Sequence, residues 1–355
     1  MPAPTTAPLI ANVDISVNGK VLTEDLQSHL VDVSVDLDVN IPSMFSMTFS
    51  GRASLSEGLD WLDDRTFEIG NEVTIKMGYE SRLEPVINGE ITSLEPEFST
   101  MGPSSLTVRG FDRRHRLQRG QKTRTFLKLK DSDIAAQIAS ESGLSGDTTD
   151  SKIVHDYLLQ ANQTDLAFLQ ERAARINYEV IVQDKKLLFH PMRNDASPTI
   201  KMRFGSDELV TFYPRLSSVQ QISQTLVSGW DIKEKKSITA KSKKTAARSN
   251  MGGDHNGAAI AEKAFGEAKL STTDPIASQA EADQQAIAHL NGRVIELITG
   301  EGTCVGRNDL IPGNTLRITE LSKKFSGNYY ITGVTHRFRS DRGYITEFRV
   351  KRNAI

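Results

Sequence analysis

From Val31 onward the chain alternates strictly. Val31, Val33, Val35, Leu37, Val39 and Ile41 take the odd positions, and Asp32, Ser34, Asp36, Asp38 and Asn40 the even ones. A strand points successive side chains to opposite faces, so a period of two predicts a β-strand with one buried face. Pro42 and Ser43 mark a turn, after which Phe45, Met47 and Phe49 interleave with Ser46, Thr48 and Ser50 as a second strand. Shorter strands are predicted in "NEVTIKMGYE", in "PVINGEITSLEP" with Asn88-Gly89 as a turn signal, and in "SSLTVRGF". This first part of the chain reads as mostly β, a barrel or a sandwich.

After Lys130 the period lengthens. "DSDIAAQIASESGL" offers Asp131 or Ser132 as N-cap, Ile134, Ala135 and Ile138 at helical spacing, and Gly143 near the stop. "NQTDLAFLQERAARI" predicts a second helix, capped by Asn162 or Thr164, with Leu166, Leu169, Ala173 and Ile176 along one face. "YEVIVQDKKLLFHP" predicts two strands around an Asp184-Lys185 turn. β character resumes with "TIKMRF", "VTFYPRL" and "SQTLVSGWDIKEKK". Between positions 233 and 248 stand seven lysines and arginines and few apolar residues. Such a stretch buries too little to offset its ordering entropy, so a basic flexible loop is expected over 233–254. A helical insertion over 256–297 follows, with Ala286, Leu290, Val294 and Leu297 as a buried stripe. "LRITE" and "NYYITGVTHRFRSDRGYITEFRVKR" return the chain to strands, the last two joined at Gly343.

At 355 residues the chain exceeds what one hydrophobic core usually serves, so several domains are expected. Its net charge of −2, from 43 basic and 45 acidic residues, removes the overall electrostatic case for a nucleic-acid or anionic-membrane protein. The single cysteine, Cys304, forms no internal disulfide and reads as a small buried residue. The first residues lack the charged start and apolar run of a signal peptide, and no run long enough to span a membrane occurs. Synthesis in the cytoplasm is expected, with a flexible tail over residues 1–9.

Candidate chemistry is thin. The seven histidines form no close pair of ligand type, so no metal is expected, and His336 and His190 read as packed structural side chains. "GEGTCVG" misses the dinucleotide spacing, "SGLSGD" is not a nucleophile elbow, and both read as turns. Asp63-Asp64 reads as a pair of solvated acids, while Trp61 and Trp230 are too scattered for a stacking platform. No enzyme activity and no cofactor are expected. One passage stands out: "GFDRRHRLQRGQKTRTF", residues 110–126, holds five arginines, a lysine and a histidine against one aspartate. It could grip phosphate, or it could pair with carboxylates at a subunit or domain contact, which arginine does bidentately. Arg113, Arg116 and Arg119 are the interface residues expected from it.

An ordered series of segments carries a family resemblance: "GNEVTIKMGY", "VINGEITSLEPEF", "SLTVRGFDRRHRL", "LKLKDSDIAAQIASESGL", "TDLAFLQERAARINYEVIVQDKKLLFHP", "TLVSGWD", "LIPGNTLRI" and "GNYYITGVTHRFRSDRGYITEFRVKR". In this order the chain resembles the baseplate hub proteins of contractile tails, the phage late control gene D family, and the hub half of VgrG-like proteins. The resemblance implies a mainly β fold with α+β elements: two tube-like β-barrel domains, a small α/β module and a helical insertion. The expected boundaries are 10–118 for the first barrel, 119–200 for the module and 201–355 for the second barrel. It also implies a structural role as a homotrimeric ring that adapts a hexameric inner tube to a trimeric spike. The implied partners are a separate spike protein, a tail-tube or tube-initiator protein and other baseplate proteins, with no membrane and with nucleic acid not the main partner. A channel protein that contacts nucleic acid is the alternative. The chain would end up in a phage tail or an injection-system particle. It departs from longer relatives in showing no oligonucleotide-binding-type barrel, lysozyme-like module or repeat-built spike after Ile355.

Overall fold

In the computed structural model the described residues are 10–51, 65–198, 200–206, 208–231, 234–243 and 249–355. The expected tail over 1–9, Trp61 and the Asp63-Asp64 pair lie outside them. The first third of the chain forms β1 (Ala11–Val17), β2 (Lys20–Val21), a short helix α1 (Glu24–Ser28), β3 (Leu30–Asp38), β4 (Met44–Ser50), β5 (Glu72–Tyr79), β6 (Arg82–Glu97) and β7 (Ser105–Phe111). The predicted alternation is physical here: Val33, Val35, Phe45, Met47 and Phe49 are fully buried, and Ile75, Met77 and Val108 pack against them. Its two ends, Val31 and Ile41, are exposed.

Asn88-Gly89 is not a turn. It lies inside β6, which runs unbroken for 16 residues. A Cβ at Gly89 would sit 2.6 Å from the Phe111 carbonyl oxygen and 3.0 Å from the Phe45 ring, so the glycine serves close packing. Asn88 accepts a hydrogen bond from Thr74 across the sheet.

The middle of the chain forms β8 (Lys122–Lys130), α2 (Asp131–Glu141), β9 (Ser145–Thr148), β10 (Val154–Gln163), α3 (Asp165–Arg175), β11 (Tyr178–Gln183) and β12 (Lys186–Pro191). Both helices bury their predicted apolar faces in one core with Phe126, Val180, Leu187 and Phe189. Thr164 caps α3, its hydroxyl accepting from Ala167 N. In α2 the N-cap position is Lys130 rather than Asp131 or Ser132, because Asp131 turns inward to an arginine instead.

The last part contains β13 (Ile200–Arg203), β14 (Leu209–Leu216), β15 (Gln224–Asp231), β16 (Lys236–Lys243), α4 (Gly257–Phe265), β17 (Lys269–Thr273), α5 (Gln279–Val294), β18 (Ile298–Val305), β19 (Thr315–Thr319), β20 (Gly327–Arg339) and β21 (Gly343–Arg352). Three expectations are corrected. The basic stretch expected as a loop over 233–254 contains β16, paired along its whole length with β15; residues 233 and 244–248 of that stretch lie outside the described residues. Its own period of two explains this: Ile238, Ala240 and Ser242 are buried while the alternate positions face outward. The insertion expected as helical over 256–297 holds a strand, β17, parallel to β15. "GEGTCVG" is most of strand β18 rather than a turn; Gly302 lies under the Phe348 ring, whose Cζ a Cβ would approach to 2.4 Å.

The fold is mainly β. Thirteen strands share one sheet, in the path β14-β18-β21-β20-β3-β4-β7-β6-β5-β1-β2 with β13 and β19 alongside. The two β-rich parts are therefore continuous: β20 pairs antiparallel with β3, setting His336 opposite Val35 and Thr335 opposite Asp36. Each part keeps its own core, the later one built on Leu316, Ile318, Tyr329, Ile331 and Phe348. Cys304 is fully buried in it, while His336 is fully buried beside Tyr344 of the first core, its ring contacting Thr346 Oγ1 at 3.2 Å and the Tyr344 hydroxyl at 2.8 Å. Desolvation holds His336 down to about 4 and pushes the Cys304 thiol up to about 12. Among the described residues no helix is long and apolar enough to cross a membrane.

Candidate functional site

The arginine-rich passage closes β7 and turns through a short 3-10 helix, Arg113–Gln118, into β8. Asp112 caps that helix through Arg114 N at 2.9 Å and also takes Ser43 N at 2.8 Å. Arg114 is 1% exposed. Its guanidinium bonds Asp112, Ser43 Oγ at 2.9 Å and the carbonyls of Asp38 at 2.7 Å and Val39 at 3.3 Å, which pins the turn between β3 and β4. A buried arginine is tolerable when most of its donors are matched in this way.

Arg113, 2% exposed, joins two parts of the chain. It meets Glu72 at 2.8 Å on β5, Glu90 at 3.4 Å on β6, and Asp184 at 2.5 Å in the turn between β11 and β12. Lys185 reinforces the contact by pairing with Glu72 at 3.1 Å. Glu90 is the hub of this first seam: besides Arg113 it accepts from Arg116 through both of its oxygens and meets His115 Nε2 at 2.8 Å. Burial works to raise the Glu90 carboxyl, but the bonds from Arg116 and His115 outweigh it and hold the group below its ordinary value. Arg119 is exposed, and its side chain has no partner among the described residues.

Farther along, Arg124 bonds Asp165 at 2.8 Å, Gln160 at 2.8 Å and Glu141 at 2.5 Å, while Lys122 pairs with Asp165 at 2.6 Å. Four of the five arginines of the passage, Arg113, Arg114, Arg116 and Arg124, thus hold carboxylates of the same chain. Of the three expected interface residues, the structure brings Arg113 and Arg116 together on Glu90 and leaves Arg119 apart.

A second seam ties the middle of the chain to β20. The Tyr330 hydroxyl lies 2.5 Å from each oxygen of Glu179 on β11, with Met251, Ile295 and Met192 packed around the ring. Desolvation pushes Glu179 up to about 7, against the pull of the Tyr330 bond and the Arg193 charge. A third contact reaches the insertion. Arg172 grips Asp131 at 2.6 Å beside His155, and Glu281 in the first turn of α5 stands 3.8 Å from Arg175 and 3.9 Å from His155. Burial opposes the charge on Asp131, yet His155 and Arg172 hold its carboxyl below the usual range.

This arrangement braces; it fixes units against one another through matched charges and hydrogen bonds. Sequence reasoning missed Glu72, Glu90, Asp184, Glu179, Tyr330 and Glu281. The one available signal lay in β6, where Glu90 takes a buried position that the turn expectation at Asn88-Gly89 obscured.

Comparisons with known proteins bear on the whole chain. A protein-family model described as the Alg8 N-terminal domain matches residues 8–340. No curated protein matches by sequence. The 43 kDa tail protein of prophage MuSo2 from Shewanella oneidensis superposes with a TM-score of 0.72 at 12% identity, covering 96% of this chain and 98% of that one. A tail protein from Neisseria meningitidis MC58 gives 0.69 at 14% identity, with 96% of each chain covered. The E. coli c3393 protein, described as a component of the type VI secretion system similar to the T4 bacteriophage tail proteins gp27 and gp5, gives 0.60 at 11% identity over 96% of this chain and 77% of that one. The fold is that of these tail proteins.

Proposed function

This chain belongs to the Alg8 N-terminal domain family, and from its fold we propose that it is a structural hub of a contractile phage tail or contractile injection system. Three copies form a ring that adapts a hexameric inner tube to a trimeric spike. The observation that carries the reading is the continuous thirteen-stranded sheet with its two cores, in a fold shared with phage tail proteins over 96% of the chain. Two β-rich units per chain let three chains present six similar surfaces to the tube and three to the spike. Ring closure also covers strand edges that would otherwise invite wrong pairing. The proposed division is 10–118 and 201–355 for the two tube-like units, with 119–200 between them. The partners are a spike protein, a tail-tube or tube-initiator protein and other baseplate proteins, within the assembled particle.

The engagement of Arg113, Arg114, Arg116 and Arg124 by carboxylates of the same chain speaks against a phosphate grip at residues 110–126. Within the hub reading, Arg119 and the exposed side of Arg116 face a neighbouring subunit. Light-scattering mass of the chain alone and with its spike tests the proposal: a trimer is expected, and a monomer that ignores spike and tube proteins overturns it. The double variant Arg116→Ala/Arg119→Ala is expected to weaken assembly; unchanged assembly returns Arg119 to ordinary surface and leaves Arg116 only its role on Glu90.

A further inference from the structure

The small sheet β16-β15-β17 has two unlike faces. One packs on α5 through Val227, Ile238, Ala240 and Ala286, and the Thr225 hydroxyl donates to Ala286 O at 2.6 Å. The other face carries the alternate positions, and there the charge collects. Register sets Lys243 opposite Gln224, Gln224 opposite Lys269, and Lys241 opposite Leu226. Partners in register share a face, with strands about 5 Å apart and same-face rows about 7 Å apart. Three lysines therefore flank Gln224, itself buried, and the partly buried Leu226. Lys241 and Lys243 are exposed and have no ion pair among the described residues, while Lys269 pairs with Glu267 at 3.0 Å where both are solvated. Lys236, at the far end of β16, stands opposite Asp231 on the α5 side of the sheet and is not part of this cluster. In a chain of net charge −2, whose arginine-rich passage is largely matched internally, Lys241 and Lys243 leave two positive charges on one face without an ion pair among the described residues.

We propose that this face docks an acidic, extended polypeptide segment of a partner protein. The charge selects an acidic partner, because carboxylates would neutralise Lys241 and Lys243, which are exposed and have no ion pair among the described residues. The geometry selects a polypeptide. β16 is the outer strand of its sheet among the described residues, and an outer strand is completed by another strand's backbone, which a nucleic acid lacks. A single nucleic-acid strand would ask for a series of stacking aromatics or arginine planes. The three strands contain no arginine, and their one tryptophan, Trp230, stands opposite Ser237, about 20 Å from Lys243 at the spacing of same-face rows. This docking is independent of the hub reading.

The test is fluorescence anisotropy of a labelled oligo-glutamate peptide titrated with the full chain at low and high salt. Binding that weakens with salt is expected, and Lys241→Glu/Lys243→Glu should weaken it by about tenfold or more. A control, Lys323→Glu/Lys324→Glu, reverses two exposed charges elsewhere and should leave binding within about twofold. Should the first variant melt early, Lys241→Gln/Lys243→Gln replaces it. Absence of peptide binding overturns the proposal, as does equal loss in both variants. Preference for an oligothymidine strand through the same lysines also overturns it, in favour of nucleic acid.

Discussion

Glu90 and Glu179 are both strand glutamates at seams of the chain, the first through Arg113 and the second directly, and their protons behave in opposite ways. Around Glu90 gather Arg113, Arg116 and His115, so the carboxylate stays charged although it is 5% exposed. Glu179 meets a phenol, a neutral donor that stabilises a charge far less than a guanidinium, and burial raises its pKa. One seam is ionic and holds the middle of the chain to the first β-rich part. The other is nearly neutral and holds it to the second. Burial alone thus does not tell how a carboxylate behaves; the partner decides.

The strongest test of that contrast removes Glu90. Glu90→Ala leaves Arg116 and His115 without their acceptor and Arg113 with one carboxylate fewer, and should destabilise the fold by about 3 kcal/mol, the low end for breaking a buried pair, since Arg113 keeps Glu72 and Asp184. Urea unfolding at neutral pH measures it; a loss under about 1 kcal/mol would mean that the seam is dispensable.

The second test uses pH. Glu179 has a folded pKa of about 7, above its ordinary 4.5, so its contribution is complete below pH 4.5 and is lost as pH rises through 7. Wild-type stability should fall relative to Glu179→Gln across this window, by up to about 3 kcal/mol. Glu90 runs the other way: its pKa is lowered, so its contribution is present above 4.5 and is lost as pH falls through the folded value. Unfolding curves of wild type and Glu179→Gln that stay parallel from pH 4.5 to 8 would refute the assignment.

A smaller effect is expected from Tyr330→Phe, which keeps the ring among Met251, Ile295 and Met192 but removes the donor, for a loss of about 1–2 kcal/mol. It should also move the Glu179 midpoint further upward, because the tyrosine bond favours the charged form. Least of all, Arg109→Ala breaks an ion pair with Glu95 that is exposed on both sides, and its unfolding midpoint should barely change, within about 1 kcal/mol.

Much of the fold was legible along the chain. The alternation at Val33 to Phe49, the Thr164 cap and the Asp184-Lys185 turn are local patterns, and the structure realises them. β16 was missed for a physical reason: its lysines read as a solvated run and hid the period of two at Ile238 and Ala240, whose burial comes from α5. At Asn88-Gly89 a turn signal gave way to a close approach by Phe45 and Phe111. Of the candidate site, the arginines were visible and their acceptors were not.

The sequence by itself determined most of the element types and the abundance of charge near residue 113, because periodicity and capping act over a few residues. Tertiary structure alone decided which charges meet. Arg113 reaches Asp184 across 71 positions and Tyr330 reaches Glu179 across 151, distances over which no local preference carries information. Those pairings exist because the sheet and the packed cores bring the groups into reach, and burial then makes each partner matter.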